Sequence, residues 1–420
     1  MAAPFDRSLV PPALLALDAE RIAEEFGTPV FVYDEDEVRR RCREFAAAFD
    51  AVAYASKAFL CVAMARLVAE EGLHLDVATG GELHVALAAG FPAERIVLHG
   101  NNKSEYELAT ALDVGVGRIV LDSFDEIDRL DELADARGLR PAVLVRVTPG
   151  IEAHTHEYIE TGTERSKFGF TVSEGVAHDA VRRVARSDRL ELVGLHCHIG
   201  SQIFVLESYA RAIDVVVGLA AETGVPIEEL NVGGGLGARY LVDAPVLDVD
   251  EYAEVVRTAV TAACADHGIR EPKVMVEPGR AITAAAAMTL YRVGTVKEIP
   301  GVGTYVAVDG GMSDNPRPVL YGAGYEAFLP LRVDEPCGLR AAVVGKHCEQ
   351  GDVVVADARL PAPIRPGELL ATPCTGAYGV SMASNYNKVP RPAVVFVRDG
   401  NPRVVVRRET LDDLLRLDES

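Results

Sequence analysis

"RIVLHGNNKSEYELATALDVGVGRIVLDS" (95–123) decides the fold. Two short apolar runs, RIVLHG (95–100) and RIVLDS (118–123), flank YELATALDVG (106–115), whose apolar residues recur at helical spacing. Uninterrupted apolar runs of this length, without polar alternation, suit strands buried on both faces, as in a parallel sheet. Parallel neighbours need a crossover, so strand, helix and strand here form one βαβ unit. Outward from this stretch the unit recurs. AVAYAS (51–56) and LHLDVA (73–78) precede it; AVLVRV (142–147), LVGLHCHI (192–199), ELNVGG (229–234) and KVMVEP (273–278) follow. Helical spacing fills the gaps, as in AFLCVAMARLVAEEG (58–72). Eight parallel-type strands alternating with helices predict an α/β fold, a (β/α)8 TIM barrel. One long insertion, 148–174, follows the fifth strand.

Beyond about residue 285 the texture changes. TYVAVDGG (304–311), RAAVVGKHC (340–348), GDVVVADA (351–358), ELLATP (368–373), RPAVVFVRD (391–399) and RVVVRRET (403–410) are strand-like runs between Pro, Gly and charged turns. They predict a C-terminal all-β domain, sandwich-like or barrel-like. PVFVYDE (29–35) is also strand-like and is expected to pair with that domain. The expected division is a barrel over 34–285 and a β domain from 1–33 and 286–420.

Bulk properties narrow the function classes. At 420 residues and 49% apolar, the chain buries a large core, which excludes a disordered chain. A formal net charge of −21 argues against nucleic acid or another polyanion as partner. Seven cysteines without CxxC spacing suggest reduced thiols and a cytoplasmic protein. The N-terminal residues lack a signal-peptide pattern, and no apolar run of about 18 residues predicts a membrane span.

In such barrels reactive groups gather at the C-terminal ends of the strands. The unusual polar clusters of the barrel region all end strands: Lys57 in AYASKAFL (53–60), HCHIGSQ (196–202), GGGLG (233–237) and EPGR (277–280). Alone, Lys57 reads as a solvated charge and GGGLG as a plain turn. Their convergence on one face changes that. Glycines let backbone N–H groups approach a phosphate, and TIM barrels often bind phosphate after strands seven and eight. Those loops supply Gly233, Gly234, Gly235, Gly279 and Arg280. These groups suit a phosphate ester carrying an aldehyde that a lysine captures; pyridoxal 5'-phosphate fits, and Glu277 is the carboxylate expected at its ring nitrogen. Partial burial of Lys57 at the barrel mouth is expected to lower its pKa and favour imine exchange. His196 and His198, two apart on a strand, face one side while Cys197 faces the other. The pair suits zinc or an imidazole stacked on a cofactor ring. A hydrolytic zinc site would need further ligands at other strand ends and leaves the phosphate cluster unexplained, so no metal is expected.

YASKAFL, LDVATGGEL, HGNNKS, HCHIGSQ, GGGLG, EPGR, VDGGMSDNPRPVLYGA, HCEQGD and TGAYGVSMASNYN together resemble the diaminopimelate decarboxylases. These are fold-type III, pyridoxal-phosphate-dependent carboxy-lyases of lysine biosynthesis, which remove CO2 from meso-2,6-diaminopimelate. The resemblance runs in order from about residue 28 to the end. It implies that Lys57 forms the imine with the cofactor and that His198 stacks on its ring. Ser201, Gly234, Gly235, Gly279, Arg280 and Tyr378 would hold the cofactor, chiefly its phosphate, with Glu277 at the ring nitrogen. Arg280, Arg317, Tyr321, Glu349 and Tyr378 would bind substrate, Arg317 reading the carboxylate distant from the reacting carbon. Cys348 and Glu349 are similar to the pair that completes the partner subunit's site in a homodimer. Cys348 and the released Lys57 amine are both candidate proton donors. The HTHEYIETGTERSKFGF segment (154–170) is similar to a family segment near cofactor and substrate. Ser313 and Gln350 depart from the usual family wording, which bears on fine specificity rather than reaction type.

Other readings share parts of this pattern. Sister decarboxylases of ornithine, lysine, arginine or carboxynorspermidine share the cofactor site and differ at the substrate end, where an amine-ended substrate wants an acidic residue in place of Arg317. Alanine racemase needs a tyrosine base where this chain offers Cys348. A cofactor carrier needs no β domain. A zinc hydrolase would use the histidine pair.

Overall fold

The computed structural model describes residues 2–151 and 166–419. It divides into two compact units, one of Arg41–Gly237 and Leu247–Ala281, the other of Met1–Arg40, Ala238–Val246 and Ile282–Ser420. Strand β1 (Val30–Asp34) belongs to the second, or β, unit. The first unit is the barrel. Its strands are β2 (Ala51–Ala55), β3 (His74–Val77), β4 (Ile96–Leu98), β5 (Arg118–Leu121) and β6 (Ala142–Thr148). After the two-residue β7 (Phe170–Thr171) come β8 (Glu191–Cys197), β9 (Glu229–Asn231) and β10 (Lys273–Val276). Pairing is parallel throughout, and β5 closes on β6, so eight strands complete a cylinder with β7 beside β6. The eight strands lie where the sequence predicts them.

The stretch that predicts the fold shows how the local signals act. Ser104 caps the helix Glu105–Val114 in a reciprocal box: its hydroxyl accepts from Glu107 N at 3.2 Å, and the Glu107 carboxylate accepts from Ser104 N at 2.8 Å. Gly115, left-handed at φ 73°, ends that helix, and β5 begins three residues later. Inside the barrel, Ala53, Val97, Val120, Leu144, Val193 and Met275 form an apolar layer. Strand side chains repeat every second residue, so the next layer on β4, β5, β6 and β10 is His99, Asp122, Arg146 and Glu277. The barrel interior thus turns from apolar to ionisable within one step along its strands. Of the segment 154–170, residues 154–165 lie outside the described residues.

In the β unit, β11 (Ala287–Ile299), β12 (Gly303–Val308), β13 (Leu339–Val344), β14 (Val353–Leu360), β15 (Leu369–Pro373), β16 (Ala393–Arg398) and β17 (Asn401–Val406) join β1. The order is β14-β13-β12-β11-β1-β16-β17, with β15 also on β11. Pairing is antiparallel except for β1 with β16 and β12 with β13. The sequence reading missed β11. Its first half is buried between β1 and β15, its second half is largely exposed against β12, and a register shift near Val293–Thr295 divides them. No single periodicity spans such a strand.

One ion pair ties the barrel's β4 and β5 ends together. Lys103 Nζ donates to Gly100 O (2.8 Å), Val120 O (2.6 Å) and Glu126 Oε1 (2.6 Å), and both charged side chains are almost wholly buried. Burial pulls the Lys103 ammonium pKa down and pushes the Glu126 carboxyl up, so neither charge tolerates loss of the other. Lys103→Ala is expected to cost about 3–5 kcal/mol in urea unfolding, because it strands a buried carboxylate. A wild-type midpoint would contradict the pairing.

Candidate active site

At the end of β2 the chain enters a 3-10 turn, Ser56–Ala58. The turn buries Ser56 and Ala58 and rolls Lys57 between them outward, so Lys57 is exposed. The expected partial burial of this amine is therefore corrected: the tight turn, rather than the apolar strand, sets its exposure. Its charge acts on Asp76 and on His198.

Glu277 follows β10 and is buried. Its Oε1 pairs with His99 Nε2 (2.7 Å) and accepts from Asn231 Nδ2 (2.7 Å), and its Oε2 pairs with His196 Nε2 (3.1 Å). Burial alone would raise the carboxyl pKa; the two imidazoles and their hydrogen bonds outweigh it and hold Glu277 well below the usual range. Burial pushes His196 down to about 4, so this ring is neutral at pH 7. Its Nε2 faces the Glu277 carboxylate, the arrangement of a neutral donor, and its Nδ1 has no hydrogen-bond partner among the described residues. His99 is shifted the other way. Burial opposes its charge, yet Glu277 and Asp76, whose carboxylate lies 3.9 Å from Nε2, raise its pKa. Asp76 itself is pushed up to about 6 by burial. Arg146 completes the layer, buried, 3.8 Å from Asp122 and stacked 4.4 Å from the Phe168 ring centre.

His99, His196 and Glu277 bring their ligand atoms within 4.8 Å of one another, which is metal-like spacing. They spend those atoms on one another. His198, the other member of the His-x-His pair, lies outside the trio, and its Nδ1 accepts from Gly234 N at 3.2 Å.

The glycine loop after β9 is built for close approach. A Cβ on Gly234 would sit 2.1 Å from Glu277 O. On Gly235, at φ +104°, it would meet Gly200 O at 2.2 Å. Gly279 packs on Ala55, where a Cβ would lie 2.9 Å from the carbonyl oxygen. Arg280 is buried and donates from Nη2 to Ser201 Oγ at 2.9 Å. Close-packed glycine backbone, a guanidinium, a hydroxyl, an amine and an ionised carboxylate make a set of groups that fits pyridoxal phosphate: anion at the glycines, aldehyde at the amine, ring N–H at Glu277.

The remaining candidates lie in the β unit. Arg317 opens the short helix Arg317–Tyr321 and is buried, with Nη1 donating to Tyr325 Oη at 2.5 Å. Tyr321 is half-buried, as is Tyr378, which holds φ at +62°. Cys348 and Glu349 are exposed on the loop between β13 and β14. That loop is anchored from within: buried His347 pairs through Nδ1 with Asp352 at 2.8 Å, and Cys348 N donates to Asn387 Oδ1 at 3.0 Å. Tyr386 donates to the Glu349 carboxylate.

Sequence reasoning did not assign roles to Asp76, His99, Asn231, Arg146 or the His347–Asp352 pair. Asp76 and His99 stand within LDVATGGEL and HGNNKS, so the motifs carried them without showing what they touch.

The chain matches the family model "Pyridoxal-dependent decarboxylase, pyridoxal binding domain" over residues 35–284. It is 52% identical over 413 residues to the diaminopimelate decarboxylase of Mycobacterium tuberculosis, covering 95% of this chain and 92% of the relative. It is 48% identical over 412 residues to that of Bacillus subtilis, covering 96% and 94%. Among solved structures, diaminopimelate decarboxylase from M. jannaschii in complex with L-lysine superposes with a TM-score of 0.89 at 32% identity, over 96% of this chain and 94% of that one.

The cluster predicts a pH dependence. Folded Asp76 keeps its proton up to about pH 6, whereas its ordinary value is 3.8, so the folded protein binds more protons between those values. Its contribution to stability is complete below the lower value and is lost as pH rises through the upper one. Asp76→Asn is expected to flatten the pH dependence of the unfolding midpoint across that window. A variant profile parallel to wild type would contradict the assignment.

Proposed function

The chain belongs to the diaminopimelate decarboxylase family of pyridoxal-dependent decarboxylases, and we infer that it converts meso-2,6-diaminopimelate to L-lysine and CO2. Arg317 carries the choice of substrate: a buried guanidinium with no ion pair to a carboxylate among the described residues. An amine-ended substrate would set an ammonium beside that cation; a carboxylate-ended one supplies the missing anion.

The bound cofactor supplies an electron sink for the pair of electrons that CO2 leaves behind. The protein's groups prepare and use it. Lys57 Nζ would hold the cofactor's aldehyde end, and its exposed position would let the substrate's α-amine reach the same end. Gly234, Gly235, Gly279, Ser201, Arg280 and Tyr378 hold the phosphate end, and His198 packs on the ring. Glu277, ionised by its buried donors, keeps a proton on the ring nitrogen. Arg317, with Arg280 and Tyr321, grips the substrate and fixes its distal carboxylate. Cys348 Sγ and Lys57 Nζ are the two candidate donors that return a proton to the α-carbon.

The proposal extends to assembly and location. Cys348 and Glu349 complete the site of a partner subunit in a homodimer, which suits a cysteine and a glutamate exposed on an internally braced loop. The seven free cysteines suit a cytoplasmic protein. No described helix is long and apolar enough to cross a membrane.

The purified holoenzyme is expected to release CO2 from meso-diaminopimelate and far less from L-lysine or L-ornithine, and Lys57→Ala is expected to abolish release. Preference for either of the other two amino acids would overturn the substrate assignment.

A further inference from the structure

Two other buried arginines, Arg39 and Arg146, have acids beside them. Arg39 has Glu35 at 2.9 Å and Arg146 has Asp122 at 3.8 Å. Arg317, just as buried at 6% exposure, has tyrosines instead. Its guanidinium carbon lies 4.4 Å from the ring centre of Tyr240 and 5.5 Å from that of Tyr325. Nη1 donates to the Tyr325 oxygen, and the two rings meet edge to face, 5.2 Å apart at 84°. Both tyrosines are buried.

The cage is assembled deliberately from two stretches of the β unit. Tyr240 comes from Ala238–Val246, which lies between barrel strands in sequence yet groups with the β unit. Val242 N donates to Glu326 Oε1 at 3.3 Å, and a Cβ on Gly324 would lie 3.0 Å from Leu241. These contacts flank Tyr325 and lace residues 241–242 to residues 324–326. Burial pushes the Tyr325 phenol above its usual range even against the nearby guanidinium, so it stays neutral.

Aromatic faces and a phenol oxygen stabilise a cation without cancelling its charge. A carboxylate partner would cancel it. With Nη1 tied to Tyr325, the Nε–Nη2 edge keeps the fork geometry that takes a carboxylate.

We propose that Tyr240 and Tyr325 determine specificity, forming a charge-neutral cage that keeps Arg317 uncompensated and so selects a substrate whose distal end is a carboxylate. The inference rests on the decarboxylase reading and assigns residues that hold the guanidinium rather than touch the reacting atoms.

The test is steady-state kinetics of the holoenzyme on meso-diaminopimelate for Tyr240→Leu, Tyr240→Phe and Tyr325→Phe, with pimelate as a competitive probe of the distal subsite. Tyr240→Leu removes the ring face and Tyr325→Phe removes the acceptor. Each is expected to raise KM and the pimelate inhibition constant roughly tenfold with kcat within about twofold of wild type. Tyr240→Phe, which keeps the face, is expected to retain wild-type KM. Unfolding midpoints and the visible band of the bound cofactor identify folded variants; should Tyr240→Leu not fold, Tyr325→Phe decides. Wild-type KM and pimelate inhibition in folded Tyr325→Phe would overturn the proposal, as would a fall in kcat at unchanged KM. A wild-type enzyme that releases no CO2 from meso-diaminopimelate would instead overturn the decarboxylase reading itself.

Discussion

A carboxylate held ionised in the centre of a barrel is the constraint on which the site depends. Glu277 is buried, and burial alone favours its neutral form. Three N–H groups, from His99, His196 and Asn231, reverse that preference. Their placement needs four strands ending in register: β4 before His99, β8 with His196, β9 with Asn231 and β10 before Glu277. Sheet closure is thus a chemical requirement here. A slip of one residue on any of these strands would turn its member of the cluster out of the interior.

The two units solve opposite problems of buried charge. In the barrel an anion is kept by a neutral imidazole, an amide and a second imidazole, His99, whose pKa Glu277 and Asp76 raise against its burial. In the β unit a cation is kept by aromatic faces and a phenol oxygen. In the function proposed for the chain each central charge meets an outside partner: Glu277 a ring N–H, Arg317 a carboxylate. Ion pairs such as Lys103–Glu126 are internally closed and serve the fold.

Much of the fold was legible because parallel strands buried on both faces leave plain apolar runs, as RIVLHG and RIVLDS do. β11 was not, since half of it is buried and half exposed, with a register shift between. At the site, Lys57, the glycine loop and Glu277 stood out by position at strand ends. The exposure of Lys57 did not, because a three-residue turn decides it. Nor did the donors around Glu277, whose pairing spans separations such as 178 residues between His99 and Glu277. Tyr240 was hidden for a related reason: the segments on either side of Ala238–Val246 belong to the barrel, and that stretch does not. Side chains that act through one another across strands leave no local spacing to read.

The central claim is that Glu277 is ionised and keeps the cofactor's ring nitrogen protonated. The most direct measurement is the 15N chemical shift of cofactor labelled at that nitrogen, bound to wild type and to Glu277→Gln. A protonated-ring shift in wild type near neutral pH, replaced by an unprotonated one in the variant, is the predicted result. An unprotonated ring nitrogen in the wild-type enzyme would contradict the account.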